Sequence, residues 1–161
     1  MLLEDKLKEL GENIVWLKYQ YTDIQGHQKE VSVRRETIHK EGYTTTDGSS
    51  VFGKIVLATE SDMILVPDIE TLVMLPWMPD TARIISNAFH FPESEDKQPK
   101  PFLGCPRTIL STLEESMDKV LNERVTKTFG KGPGRFHAHF APEVEFILVD
   151  ENYPHRKIHR D

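Results

Sequence analysis

One cysteine stands in 161 residues, so Cys105 has no partner within the chain and no disulfide framework can form. A reducing, cytoplasmic setting is the expectation that follows. No stretch approaches about 18 consecutive apolar residues, so no transmembrane helix and no membrane partner are expected. The opening Met-Leu-Leu-Glu-Asp-Lys-Leu-Lys-Glu-Leu carries charges where a signal peptide needs an apolar run. Excess positive charge is missing too. Twenty Lys and Arg against 26 Asp and Glu leave a net charge of −6, which disfavours nucleic acid as a bulk partner. Internal repeats and low-complexity tracts are also absent.

What is present is ordinary globular composition, 38% hydrophobic and 29% charged, which argues against wholesale disorder. A chain of this length buries a sizeable core unaided and holds one domain, or one domain and a piece of another. The charge is uneven. From Arg124 onward seven Lys and Arg oppose five Asp and Glu, a sum of +2, whereas everything before sums to −8.

Hydrophobic spacing gives the organisation. Leu3, Leu7 and Leu10 predict a short N-terminal helix within residues 1–13. Val15, Leu17, Tyr19 and Tyr21 then alternate as a strand. A turn at Asp23–Gly26 and the returning Val31 and Val33 complete a hairpin. Residues 35–40 predict a short helix stopped at Gly42, and Thr44–Ser50 reads as a polar loop. Met63–Val66, Thr71–Leu75 and Ala82–Phe89 are β-rich runs. Residues 14–91 therefore predict an α+β domain of four or five strands. Four prolines between Phe91 and Arg107 give residues 92–106 the composition of a linker. Ile109, Leu110, Leu113, Met117, Val120 and Leu121 then predict an amphipathic helix of about four to five turns. Strands are expected over Phe136–Phe140 and Glu143–Val149.

Four constellations bear on chemistry. Strand alternation puts Glu143 and Glu145 on one face, where two carboxylates repel unless a cation lies between them; hard oxygen ligands suit Mg²⁺ or Mn²⁺. The plainer alternative is the solvated start of an edge strand. His137 and His139 lack a third soft or neutral ligand, which leaves zinc weakly supported. The Phe129–Arg135 stretch lacks the Gly-Lys-Ser/Thr ending of a phosphate loop and serves better as a flexible connection. Asp47-Gly48-Ser49-Ser50 can hold a cation or a small polar substrate, or can be a turn satisfying its own backbone.

The order of these blocks says more than any one of them. Tyr21-Thr22-Asp23-Ile24-Gln25-Gly26, Glu41-Gly42 leading to Asp47-Gly48-Ser49-Ser50, Glu60-Ser61-Asp62-Met63 through Asp68, and Ala141-Pro142-Glu143-Val144-Glu145-Phe146 together closely resemble the N-terminal third of glutamine synthetase. The resemblance runs from about Val15 to Asp150. It implies an α+β chain: a β-grasp N-terminal domain followed by an incomplete glutamine-synthetase-type catalytic domain, helix plus strands, over residues 107–161. The chain is then expected to be an N-terminal fragment, inactive alone and exposing apolar surface.

By the same resemblance, Asp47 would help bind ammonium and assist its deprotonation, and Ser50 would line the same pocket. Glu143 and Glu145 would be ligands of the divalent metals, Mg²⁺ or Mn²⁺, that clamp ATP and L-glutamate. Active sites would lie between neighbouring subunits of a homo-oligomeric ring. The implied reaction is ATP-dependent ligation of glutamate and ammonia through γ-glutamyl phosphate. The pattern departs from the usual one in Val51–Thr59, in Val144 where proline is common, and in Cys105-Pro106-Arg107 where Asp-Pro-Arg is typical. A roomier pocket would accept a larger amine, as in γ-glutamyl-methylamide or γ-glutamyl-polyamine synthetases. A non-catalytic β-grasp assembly or regulatory module is the alternative from another class.

Overall fold

The structure is a computed structural model, and it describes residues 2–57, 61–92, 98–131, 139, 141–143 and 145. The elements run α1 (Leu3–Leu10), β1 (Trp16–Thr22), β2 (Gln28–Arg34), β3 (Thr44–Asp47), α2 (Gly48–Phe52), β4 (Asp62–Pro67), β5 (Val73–Leu75), β6 (Met78–His90), β7 (Lys100–Pro101) and α3 (Pro106–Phe129). They build a seven-stranded mixed sheet in the order β2-β1-β6-β4-β3, with β5 and β7 also paired to β6.

Strand β6 organises the sheet because its 13 residues are long enough to serve two sets of partners. Its first half runs parallel to β1 (Lys18 opposite Arg83) and antiparallel to β5 (Val73 opposite Arg83). Its second half pairs antiparallel with β4 (Leu65 opposite Ala88) and β7 (Phe89 opposite Pro101). The β1–β2 hairpin expected from alternation is present, with Tyr19 opposite Val31. Inward-facing Leu17, Tyr19 and Tyr21 meet Leu3, Leu7, Phe52, Met63, Leu65, Ile84 and Phe102 in one core. Helix α1 docks through Leu3 and Leu7, one turn apart on one face. Gly42 (φ +79°) leaves room for it, since a Cβ there would lie 3.3 Å from Leu3.

Helix α3, at 24 residues, runs about two turns longer than the four to five expected, and the structure differs from the sequence expectation in four further places. Residues 35–40 form only a 3-10 turn, Arg35–Thr37, where the Thr37 hydroxyl donates to the Arg34 carbonyl and competes with helix propagation. The polar loop at 44–50 is instead strand β3 running into helix α2: three threonines suit a strand, and Asp47 caps the helix. Residues 14–91 supply six strands rather than four or five, and β7 adds a seventh to the sheet. Finally, the Pro-rich segment packs at its end. Lys100–Pro101 joins the sheet, and Phe102 meets Phe52 with ring centroids 4.8 Å apart. The strands expected over 136–140 and 143–149 lie largely outside the described residues. Among the described residues no helix is long and apolar enough to cross a membrane.

Candidate functional site: the Asp47 loop

Asp47 ends β3, and its backbone is extended while the next residue turns into α2. Its carboxylate spends both oxygens locally. Oδ1 accepts from Ser49 N (3.0 Å), Ser50 N (3.3 Å) and Ser49 Oγ (2.7 Å), and Oδ2 accepts from Ser50 Oγ. The Ser50 and Ser49 hydroxyls hold its pKa below the usual carboxylate range. Asp47 and Ser50 are therefore in direct contact on an exposed surface, with Asp47 anionic at neutral pH.

The position of this loop is fixed from below. Gly48 is buried, and its N–H donates to Ser61 O at 2.6 Å. A Cβ on Gly48 would lie 2.3 Å from Met63 Sδ and 3.0 Å from Ser61 O, so glycine is needed for the close approach of α2 to β4. Tyr21 braces the strand before it, with its hydroxyl 2.9 Å from Thr46 Oγ1. Desolvation raises the Tyr21 pKa, which keeps that hydroxyl protonated. Asp62, the first residue of β4, stands opposite Asp47 in the β3–β4 register, so two acidic positions lie side by side at the start of α2.

Glu143 and Glu145 are exposed and lie in neither a helix nor a strand. No described hydrogen bond or ion pair joins them to Asp47 or Ser50. As hard oxygen donors they suit Mg²⁺ or Mn²⁺, yet two carboxylates fill only part of such a coordination sphere. Among the described residues no group of three or more His, Cys, Asp or Glu could hold a metal. His139 is exposed, and His137 falls outside the described residues.

Sequence reasoning missed two polar features. A groove of about 620 Å³ crosses the open face of the sheet, lined by Lys18, Gln20, Glu30, Trp77 and Arg83 among others, and no residue of the Asp47 loop lines it. Lys18 pairs there with Glu30, whose pKa the lysine lowers. Alternation in β1 marks Lys18 and Gln20 as outward but does not show that β5 and β6 wall the face. The second is Arg107, bonded to both Asp68 and Asn87. Nothing in local spacing links residues 20 and 39 positions apart.

Comparison with known proteins agrees with the fold. Residues 13–90 match the family model described as glutamine synthetase, beta-Grasp domain. Glutamine synthetase of Methanocaldococcus jannaschii is 31% identical over 163 residues, covering 92% of this chain and 32% of the relative. That of Sulfolobus acidocaldarius is 35% identical over 143 residues (86% and 26%), and that of Staphylococcus epidermidis 36% over 142 (85% and 27%). The chain thus spans about a third or less of the length of the relatives it matches. Among solved structures, the apo form of GmaS superimposes with a TM-score of 0.59 at 22% identity, covering 71% of this chain and 25% of that one. The GmaS/ADP complex gives 0.55 at 22% identity (78% and 26%); at that identity the likeness speaks to fold. With a matching β-grasp domain and relatives aligned over most of its length, the chain belongs to the glutamine synthetase family, of which it represents the N-terminal portion.

Proposed function

We propose that these residues serve an ATP-dependent glutamate–ammonia ligase, a glutamine synthetase, supplying its β-grasp domain and the ammonium-facing loop. The observation that carries the reading is the Asp47 carboxylate, held anionic by Ser49 and Ser50 and fixed in place by Gly48. In the reaction the γ-carboxylate of glutamate takes the terminal phosphoryl group of ATP, releasing ADP. Ammonium then gives up a proton, assisted by Asp47, and the resulting ammonia attacks the acyl phosphate carbon, losing a second proton as the amide bond forms and phosphate is expelled.

A carboxylate at a reduced pKa is a strong attractor of cations and a weak base. Asp47 therefore acts chiefly by drawing ammonium to the loop and orienting it, while Ser50 fixes the carboxylate through its hydroxyl. Glu143 and Glu145 would hold part of a divalent metal site, with the remaining ligands coming from outside the described residues. A bound Mg²⁺ or Mn²⁺ would neutralise phosphate charge during transfer. The homo-oligomeric ring, with this loop facing a neighbouring subunit's funnel, belongs to the same proposal, as does a cytoplasmic setting.

The test is ATP turnover by the whole enzyme with glutamate and either ammonium or a panel of larger amines. Ammonium should be preferred, and Asp47→Ala should raise its KM about tenfold or more. Glu143→Ala should instead depress ATP turnover at saturating ammonium. A strong preference for methylamine or a polyamine would transfer the assignment to a glutamate–amine ligase. Absence of any turnover would leave a non-catalytic β-grasp module.

A further inference from the structure

Helix α3 holds to the sheet near one end. Among its described residues only Thr108 is buried, and Ile109, Leu110, Leu113, Met117 and Val120 along the apolar stripe are about half exposed. The start of the helix is electrostatically unfavourable by itself. Its N-cap, Cys105, offers no side-chain hydrogen bond, its first turn has no acidic residue, and Arg107 places a cation at the positive end of the helix dipole.

Compensation comes from the sheet. Arg107 Nη2 donates to Asp68 Oδ2 at 2.8 Å, and Arg107 Nε donates to Asn87 Oδ1 at 2.8 Å. Both acceptors are themselves fixed. Asp68 N donates to Ile85 O (2.8 Å), and Asp68 O accepts from Thr71 N (2.9 Å) and Thr71 Oγ1 (2.7 Å). Thr71 Oγ1 in turn accepts from Ile85 N at 2.8 Å. Asn87 sits within β6, opposite Val66 of β4. Immediately before the helix, Phe102 and Cys105 are sunk in the core, at 6% and 1% exposure. A Cβ on Gly104 would lie 2.4 Å from the Phe102 ring and 2.7 Å from Ile55 Cδ1, so the approach to the helix has no room to slide.

We propose that Arg107 is a positioning residue: with Asp68 and Asn87 it forms a two-point latch that sets the direction in which α3 leaves the sheet. The plug at Phe102 and Cys105 supplies a pivot, and one further bond would leave the helix free to swing about it. Two bonds from two nitrogens of a rigid planar guanidinium, to acceptors on two separate segments, remove that freedom. A lysine ammonium, being a flexible point charge, does not reproduce the fork.

The test uses spin labels on the full chain at Ser32→Cys in β2 and Glu123→Cys in α3, both exposed positions, with Cys105 too buried to react. Pulsed electron spin resonance should give one narrow distance distribution for the parent. Arg107→Met and Asp68→Asn should each broaden it, the double variant should broaden it no further than either single one, and Arg107→Lys should be intermediate. Amides in the first turns of α3 should exchange about tenfold faster in Arg107→Met, while those of β1 and β6 keep their protection. If Arg107→Met loses the fold, Arg107→Lys and Asn87→Ala decide the matter through the same distribution. A distribution as narrow as the parent's in folded latch variants overturns the proposal. So does faster exchange throughout the sheet without broadening, which would mark Arg107 as a stability contact only.

Discussion

In β1 the inward residues Leu17, Tyr19 and Tyr21 are 0%, 0% and 4% exposed, whereas in α3 Leu113 and Met117 are 53% and 49% exposed. Both stretches have regular apolar spacing, period two in the strand and three to four in the helix. The difference lies in what faces them. Strand β1 has β2 and β6 at its edges and α1, α2 and Phe102 in the core its inner face joins, so its apolar face is closed over by contacts distant in sequence. Helix α3 is 24 residues, about 36 Å, long and is anchored near one end. Periodicity thus specifies an element and its apolar face, and only a partner turns that face into a core.

The same substitution in the two regions should show this most strongly. Leu7→Ala removes a fully buried side chain from the core and should cost about 2–5 kcal/mol. Leu113→Ala, at a half-exposed site, should stay within about 0.5 kcal/mol of the parent. Urea unfolding with an unchanged m-value measures both. A cost near that of Leu7→Ala for Leu113→Ala would mean that the α3 stripe is covered in solution, and the contrast would collapse.

Glycine sharpens the comparison because it is needed for different reasons in the two regions. Gly48→Ala drives a methyl against Met63 and the Ser61 carbonyl inside the sheet core, and should cost about 1–3 kcal/mol in global unfolding. Gly130 ends α3 in a left-handed conformation (φ +77°) with nothing within 4 Å of a Cβ, so Gly130→Ala should fray the helix end by about 1 kcal/mol. Hydrogen exchange separates them: the first variant loosens β3 and β4, the second only the last turn of α3.

These contrasts show what was legible in the sequence. Elements with their own period, α1, β1, β2 and α3, could be placed from spacing, because burial on one face imposes that spacing. Strand β3 could not, since Thr44, Thr45 and Thr46 carry no apolar alternation and their strand follows from pairing with β4. Strand β7 is two residues long, too short to carry a period, and the Phe102 N–H beside it donates to the Ala88 carbonyl at 3.0 Å. The Asp47 site was half legible: Asp-Gly-Ser-Ser contains an N-cap followed by two hydroxyls, whereas the need for Gly48 depends on Met63, which arrives from another strand. The Arg107 latch joins three separate segments, and no local pattern could show it.

Ser86 offers a smaller effect of opposite sign. It is fully buried on the inner face of β6, and among the described residues its hydroxyl has no hydrogen-bond partner. Ser86→Ala removes an unsatisfied polar group at little cost in volume and should stabilise the fold by about 1 kcal/mol. A loss of stability in thermal unfolding would mean that the hydroxyl is satisfied in solution, and the sheet core would then be wetter than its burial indicates.

The gentlest perturbation is acid, and it acts at the ends of β1 and β3. Burial pushes the Asp23 carboxyl up, but the N–H groups of His27 and Gln25 and the charges of His27 and Lys29 outweigh it and leave the pKa lowered. Asp47 is lowered by its serine hydroxyls. A carboxylate whose folded pKa lies below the unfolded value, about 3.9, contributes stability that is present above that value and is lost as the pH falls through the folded pKa. Acidification below about pH 4 should therefore loosen the turn at Asp23–His27 and the first turn of α2. Neither carboxylate bonds to α3, so its amides should not follow these two titrations. Asp23→Asn combined with Asp47→Asn should flatten the acid limb of the stability curve. An acid limb as steep in the double variant as in the parent would place the titrating groups elsewhere, and the two regions would no longer differ in their response to acid.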